Sequence, residues 1–169
     1  MKKIAIYPGS FNPFTIGHQN ILEKAESIFG KENVIIAVGL NSSKAKEMSL
    51  APDVFQENTR LTIKFNLPSK TVDKYMGFLT DFVFEKEELG YDVTIIRGLR
   101  DGFDLQYEMN LLRAMQDLKP DIKVIYLLCD SKFSHVSSSL YREFERGKKG
   151  AGLIYLAKEV NSIMDTKNK

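Results

Sequence analysis

Four short apolar runs, Ile4–Tyr7, Val34–Leu40, Val93–Ile96 and Val124–Leu128, constrain the fold of this 169-residue chain more than any other feature. Each is rich in β-branched residues and nearly continuous rather than alternating, the pattern of a strand covered on both faces. A weaker fifth strand is expected near Lys70–Lys74. Helical spacing fills the gaps. Ile21, Leu22, Ala25, Ile28 and Phe29 recur behind Thr15, which reads as an N-cap. Asp53 with Gln56 reads as a capping box that opens a helix to about Phe65. Leu79, Phe82 and Val83 begin another, which Gly90 closes. Tyr107, Leu111, Ala114, Met115 and Leu118 line one face of a helix ahead of Pro120, and further helices start near Ser137–Ser139 and near Gly152. The polar tail Asp165–Lys169 is expected to fray. Strands alternating with helices imply right-handed βαβ units. The expected fold is α/β: a single-domain, Rossmann-like doubly wound parallel sheet of about five strands with flanking helices, spanning residues 1–169.

In such sheets ligands bind beyond the carboxyl ends of the strands. The loops that follow strands here are Gly9–His18, Asn41–Lys46, Arg97–Gly102 and Ser131–Ser139, so one shared rim is expected. The first loop reads as a glycine turn and then a helix start bearing His18. A helix start offers unpaired N–H groups and the positive end of the helix dipole, which suit phosphate. Arg97-Gly98-Leu99-Arg100 places two guanidinium groups at a strand end, a candidate phosphate clamp. Ser137–Ser139 open a helix, where hydroxyls and free N–H groups can cap the helix or hold phosphate. The stretch Asn41–Pro52 is long and polar for a plain connection.

Three ordered blocks carry a resemblance. Thr15-Ile16-Gly17-His18 resembles the (H/T)xGH signature of the nucleotidyltransferase superfamily. Arg97-Gly98-Leu99-Arg100 followed by Asp104-Leu105-Gln106-Tyr107-Glu108 resembles the RGLR and DFEYE pattern of phosphopantetheine adenylyltransferases. Phe133-Ser134-His135-Val136-Ser137-Ser138-Ser139 is similar to that family's ISSS segment, with Val136 in place of Ile. The resemblance implies adenylyl transfer from ATP to 4′-phosphopantetheine, giving dephospho-coenzyme A and pyrophosphate. It implies His18 as the transition-state stabiliser. It implies ATP contacts from Ser10, Phe11, His18, Gly98, Leu99, Arg100, Glu108 and Phe133 to Ser139, and acceptor contacts from Ser10, Lys44, Leu79 and Arg97. Lys46 rivals Lys44 within the same loop. Magnesium is expected on the ATP phosphates rather than in a protein cage. The family suggests a homohexamer and inhibition by coenzyme A. Asn12 stands where many relatives have Asp, and Tyr141-Arg142 replaces the commoner Val-Lys, with only local packing and charge expected to change.

Composition narrows the rest. A net charge of +2 argues against nucleic acid or an anionic membrane as partner. The single cysteine, Cys129, reads as buried filler and permits no intrachain disulfide. No apolar stretch reaches membrane-spanning length and no signal peptide is read, so a cytoplasmic protein is expected. The rival readings are a sibling nucleotidyltransferase with another phosphorylated acceptor, a non-catalytic nucleotide- or coenzyme-A-binding regulator, and a flavodoxin-like electron carrier.

Overall fold

A five-stranded sheet in the order β3-β2-β1-β4-β5 forms the centre of the computed structural model. The structure describes residues 1–40, 45–46 and 49–159. The strands are β1 (Lys2–Gly9), β2 (Val34–Gly39), β3 (Thr71–Tyr75), β4 (Tyr91–Leu99) and β5 (Val124–Leu128), and all neighbours pair in parallel. Between and after them come α1 (Ile16–Phe29), α2 (Pro52–Asn66), α3 (Leu79–Glu88), α4 (Gly102–Leu118) and α5 (Ser138–Gly147). The strand alternation divides the core. Ala5, Tyr7, Ile36 and Val38 face α1 and α2, packing with Leu22, Ala25 and Ile63. Ile4, Ile6, Val93 and Ile95 face the other way, onto Phe82 and Val83 of α3 and Met115 of α4. Full burial of each Ile, Leu, Val, Phe or Met among these contributes roughly 1.5–3 kcal/mol.

The expected fold class holds, with local differences. β4 runs on through Leu99 because its pairing with β5 continues to Leu99 opposite Leu128. Arg97, Gly98 and Leu99 therefore belong to the strand and not to the loop after it. Asp53 and Gln56 form no capping box: Ala51 is the N-cap, no side chain caps α2, and Pro52 supplies the pre-set first turn. Gln56 instead donates from Nε2 to the carbonyls of Val38 (2.8 Å) and Tyr75 (2.7 Å), tying the ends of β2 and β3 together. On α4 the core face is Leu111, Leu112 and Met115, while Tyr107, Ala114 and Leu118 are exposed, because the helix sits against β4 and turns its next face outward. The segment after Gly150 is a single 3-10 turn, Ala151–Tyr155. The tail Asp165–Lys169 lies outside the described residues.

Candidate active site

β1 and β4 are neighbours, and their connections leave toward opposite sides of the sheet, so a crevice opens beyond their carboxyl ends. A cleft of about 390 Å³ occupies it. Its floor is Tyr7 to Phe11 from the end of β1 and Arg97 to Arg100 from the end of β4. Gly17, His18 and Ile21 of α1 form one wall and Asp104, Tyr107 and Glu108 of α4 another. Cys129, Phe133, Val136, Ser137 and Ser138 close the side nearest β5. At Gly98 an added Cβ would lie 2.9 Å from Ile21 Cγ1, so glycine lets α1 lie directly on the strand end.

Thr15 caps α1 as its spacing predicts: its Oγ1 accepts from the His18 N–H, and His18 Nδ1 accepts from the Thr15 N–H at 2.9 Å. This reciprocal box selects the tautomer, because a ring nitrogen that accepts a hydrogen bond carries no proton in the neutral ring and leaves it on the other. Nε2 is therefore the N–H donor. Aromatic rings hold the imidazole in place: Phe11 meets it edge-on at 5.1 Å and Phe14 lies at 5.3 Å. Phe11 has a left-handed backbone (φ 42°), and its ring also packs on Tyr7 (5.2 Å) and Phe14 (5.0 Å), contacts that fix this costly conformation.

Both arginines are oriented by carboxylates on α4. Arg97 donates from Nε (2.8 Å) and Nη2 (2.6 Å) to the two oxygens of Glu108, and the pair is largely buried. Burial works against the Arg97 charge, but the bonds and charge of Glu108 outweigh it and the shift is upward. Arg100 makes the same fork with Asp104, at 2.9 Å for each bond, and this pair is more exposed. Arg100 thereby holds the Asp104 carboxyl below its ordinary range. Burial pushes the Tyr7 phenol and the Cys129 thiol upward, so both stay neutral near pH 7.

The serine helix grips the first loop. Ser138 Oγ donates to the Pro13 carbonyl (2.8 Å) and Arg142 Nη1 to the Asn12 carbonyl (2.6 Å). Ser137 caps α5 through Leu140 N.

A family model described as Cytidylyltransferase-like matches residues 6–144. A phosphopantetheine adenylyltransferase from Buchnera aphidicola subsp. Acyrthosiphon pisum (strain Tuc7) is 36% identical over 166 residues, covering 97% of this chain and 94% of its own. The chain belongs to the phosphopantetheine adenylyltransferase family. A second member, from Syntrophomonas wolfei subsp. wolfei, is 37% identical over 143 residues, covering 83% of this chain and 82% of its own. The Plasmodium falciparum nicotinic acid mononucleotide adenylyltransferase, solved in complex with NaAD, shares the fold: TM-score 0.59 at 18% identity, covering 92% of this chain and 91% of that one.

Of the residues this family resemblance singles out, Ser10, Phe11, His18, Arg97, Gly98, Leu99, Arg100, Glu108, Phe133, Val136, Ser137 and Ser138 line the one cleft. Ser134, His135 and Ser139 do not: Ser134 Oγ donates to Ser131 O, the His135 ring packs on Tyr155, and Ser139 Oγ accepts from Arg142. Leu79 also lies away from the cleft, half-buried against the α3–α4 face of the core. Lys44 lies outside the described residues, and Lys46 is exposed. Arg142 does more than adjust local charge, since it holds the Asn12 carbonyl. Tyr7, Ile21, Tyr107 and Cys129 join the wall without having been expected there. Tyr7 and Cys129 flank strand ends, and that placement was the available signal.

Proposed function

We propose that this chain transfers the adenylyl group of ATP to 4′-phosphopantetheine, giving dephospho-coenzyme A and pyrophosphate. The observation that carries the reading is the meeting of three motif blocks in one cleft at the β1–β4 crossover, in a member of this family. The acceptor phosphate is already a nucleophile. Its oxygen attacks the α-phosphorus of ATP in line as the bond to the bridging oxygen breaks, and pyrophosphate leaves with that electron pair. No protein nucleophile is required, so catalysis consists of positioning and of stabilising charge on the phosphoryl oxygens.

His18 gives its Nε2–H to the α-phosphoryl group, with the α1 start adding positive potential. Ser10 and Arg97 orient the acceptor phosphate, as Lys44 does by family resemblance. Arg100, Glu108, Phe133, Val136, Ser137 and Ser138 bind the nucleotide. Magnesium fits as an ion carried by the triphosphate. Asp104 and Glu108 each accept from an arginine, and among the described residues no three His, Cys, Asp or Glu side chains converge as a cage. When bound, it would neutralise charge on the nucleotide phosphates. The test is pyrophosphate release from Mg-ATP with and without 4′-phosphopantetheine, with dephospho-coenzyme A identified by chromatography. Release that depends on this acceptor is expected. Turnover only with a different phosphorylated acceptor, or ATP binding with no release, would overturn the reading.

A further inference from the structure

Asn20 is a buried polar residue of α1, two positions beyond His18, and it faces away from the cleft toward the end of β5. Both ends of its amide meet one partner 110 residues distant. Nδ2 donates to Asp130 Oδ2 (2.9 Å), and Oδ1 accepts from the Asp130 N–H (2.9 Å). Lys24, one turn further along α1, completes the grip, with Nζ 2.7 Å from Asp130 Oδ1 and 2.6 Å from the Leu128 carbonyl.

Asp130 is the N-cap of the short turn Ser131–Phe133, yet no side chain caps that turn. An aspartate there would ordinarily bond the free N–H groups of its own turn. Here the carboxylate is directed onto α1 instead. The turn then hangs from Asp130 by backbone bonds, Phe133 N to Asp130 O (2.8 Å) and Val136 N to Phe133 O (2.9 Å). Phe133 and Val136 are cleft wall. The helix that carries His18 thus also sets the position of the wall beside it.

We infer that Asn20 is a positioning residue, which through Asp130 holds the Phe133–Ser138 wall at nucleotide-binding distance from His18. This rests on the function proposed above and assigns Asn20 to the nucleotide half of that site. Any residue with two complementary groups at this place would serve, and a carboxylate would not, since it would oppose the Asp130 carboxylate at hydrogen-bond distance.

The test is a swap. Asn20→Asp is expected to raise the KM for ATP about tenfold, the scale of a lost hydrogen bond to a charged group, while the acceptor KM and kcat stay within about threefold. The double variant Asn20→Asp/Asp130→Asn exchanges donor and acceptor and restores the ATP KM. Should Asn20→Asp fail to fold, Asp130→Ala removes the carboxylate that Asn20 Nδ2 and Lys24 hold, keeping only the backbone N–H bond to Asn20 Oδ1, and predicts the same nucleotide-selective loss from the half-exposed side. An unchanged ATP KM in folded Asp130→Ala, an equal rise for both substrates, or a swap that restores nothing would overturn the inference. ATP affinity by calorimetry on the same variants keeps the two questions apart. A parent chain that releases no pyrophosphate fails the proposed function, while the calorimetric arm still decides Asn20.

Discussion

Replacing His18 tests the mechanism most directly, and the structure says how to do it cleanly. The imidazole has two roles. Nδ1 accepts from the N–H of Thr15, which is buried, and the tautomer this imposes makes Nε2 the donor for the reacting phosphate. His18→Ala removes both. Loss of one preorganised donor costs about 10²–10³ in kcat, or about 2.7–4 kcal/mol of transition-state stabilisation. Leaving the Thr15 N–H without its acceptor costs a further ~1–3 kcal/mol of stability. His18→Asn separates the two effects, since a side-chain carbonyl can still accept from Thr15 N–H while its amide falls short of the Nε2 position. The expectation is near-normal thermal stability with kcat down at least ~10²-fold in a pyrophosphate-release assay. A folded His18→Asn variant within tenfold of the parent would refute the argument.

Three further outcomes follow from geometry elsewhere. Lys70→Met should destabilise the fold by about 3–5 kcal/mol in urea titration, because the buried Glu26 carboxylate loses its 2.7 Å partner; Glu26→Gln/Lys70→Met should recover much of that. Gly98→Ala puts a methyl 2.9 Å from Ile21 Cγ1, so a loss of about 1–3 kcal/mol is expected together with weakened substrate binding, and an unchanged melting temperature would contradict the packing described. Arg60 and then Lys74 pull the Glu57 carboxyl from 4.5 down to about 2. A carboxyl lowered on folding stabilises the native state above its ordinary range. That contribution is lost as pH falls from about 4.5 toward 2, so Glu57→Gln should flatten the stability curve over that interval, lying below the parent above about pH 4.5 and meeting it near pH 2.

Legibility in the sequence tracks the range of the interaction. Four strands were readable from continuous β-branched runs, whereas β3, a half-exposed edge strand, left only a weak signal near Lys70–Lys74; the Thr15–His18 box was readable because it closes over three residues. The strand ends were not, since the extra pairs that carry β4 to Leu99 depend on where β5 lies beside it. Asp53 and Gln56 show the opposite error: the spacing suits a local cap, but Gln56 finds two strand-end carbonyls, Val38 and Tyr75, that no local pattern announces. The same holds inside the cleft. His18, Arg97, Arg100 and Glu108 could be listed from their motifs, yet that Glu108 holds Arg97 while Asp104 holds Arg100 depends on how α4 returns against β4. Asn20 carried no signal, because its meaning lies in a residue 110 positions away. Motif chemistry in this chain is local and readable, whereas the geometry that would make it catalytic is set by pairings across the crossover. Substitutions at Asn20 or Asp130 should therefore disturb the site as surely as some within its motifs.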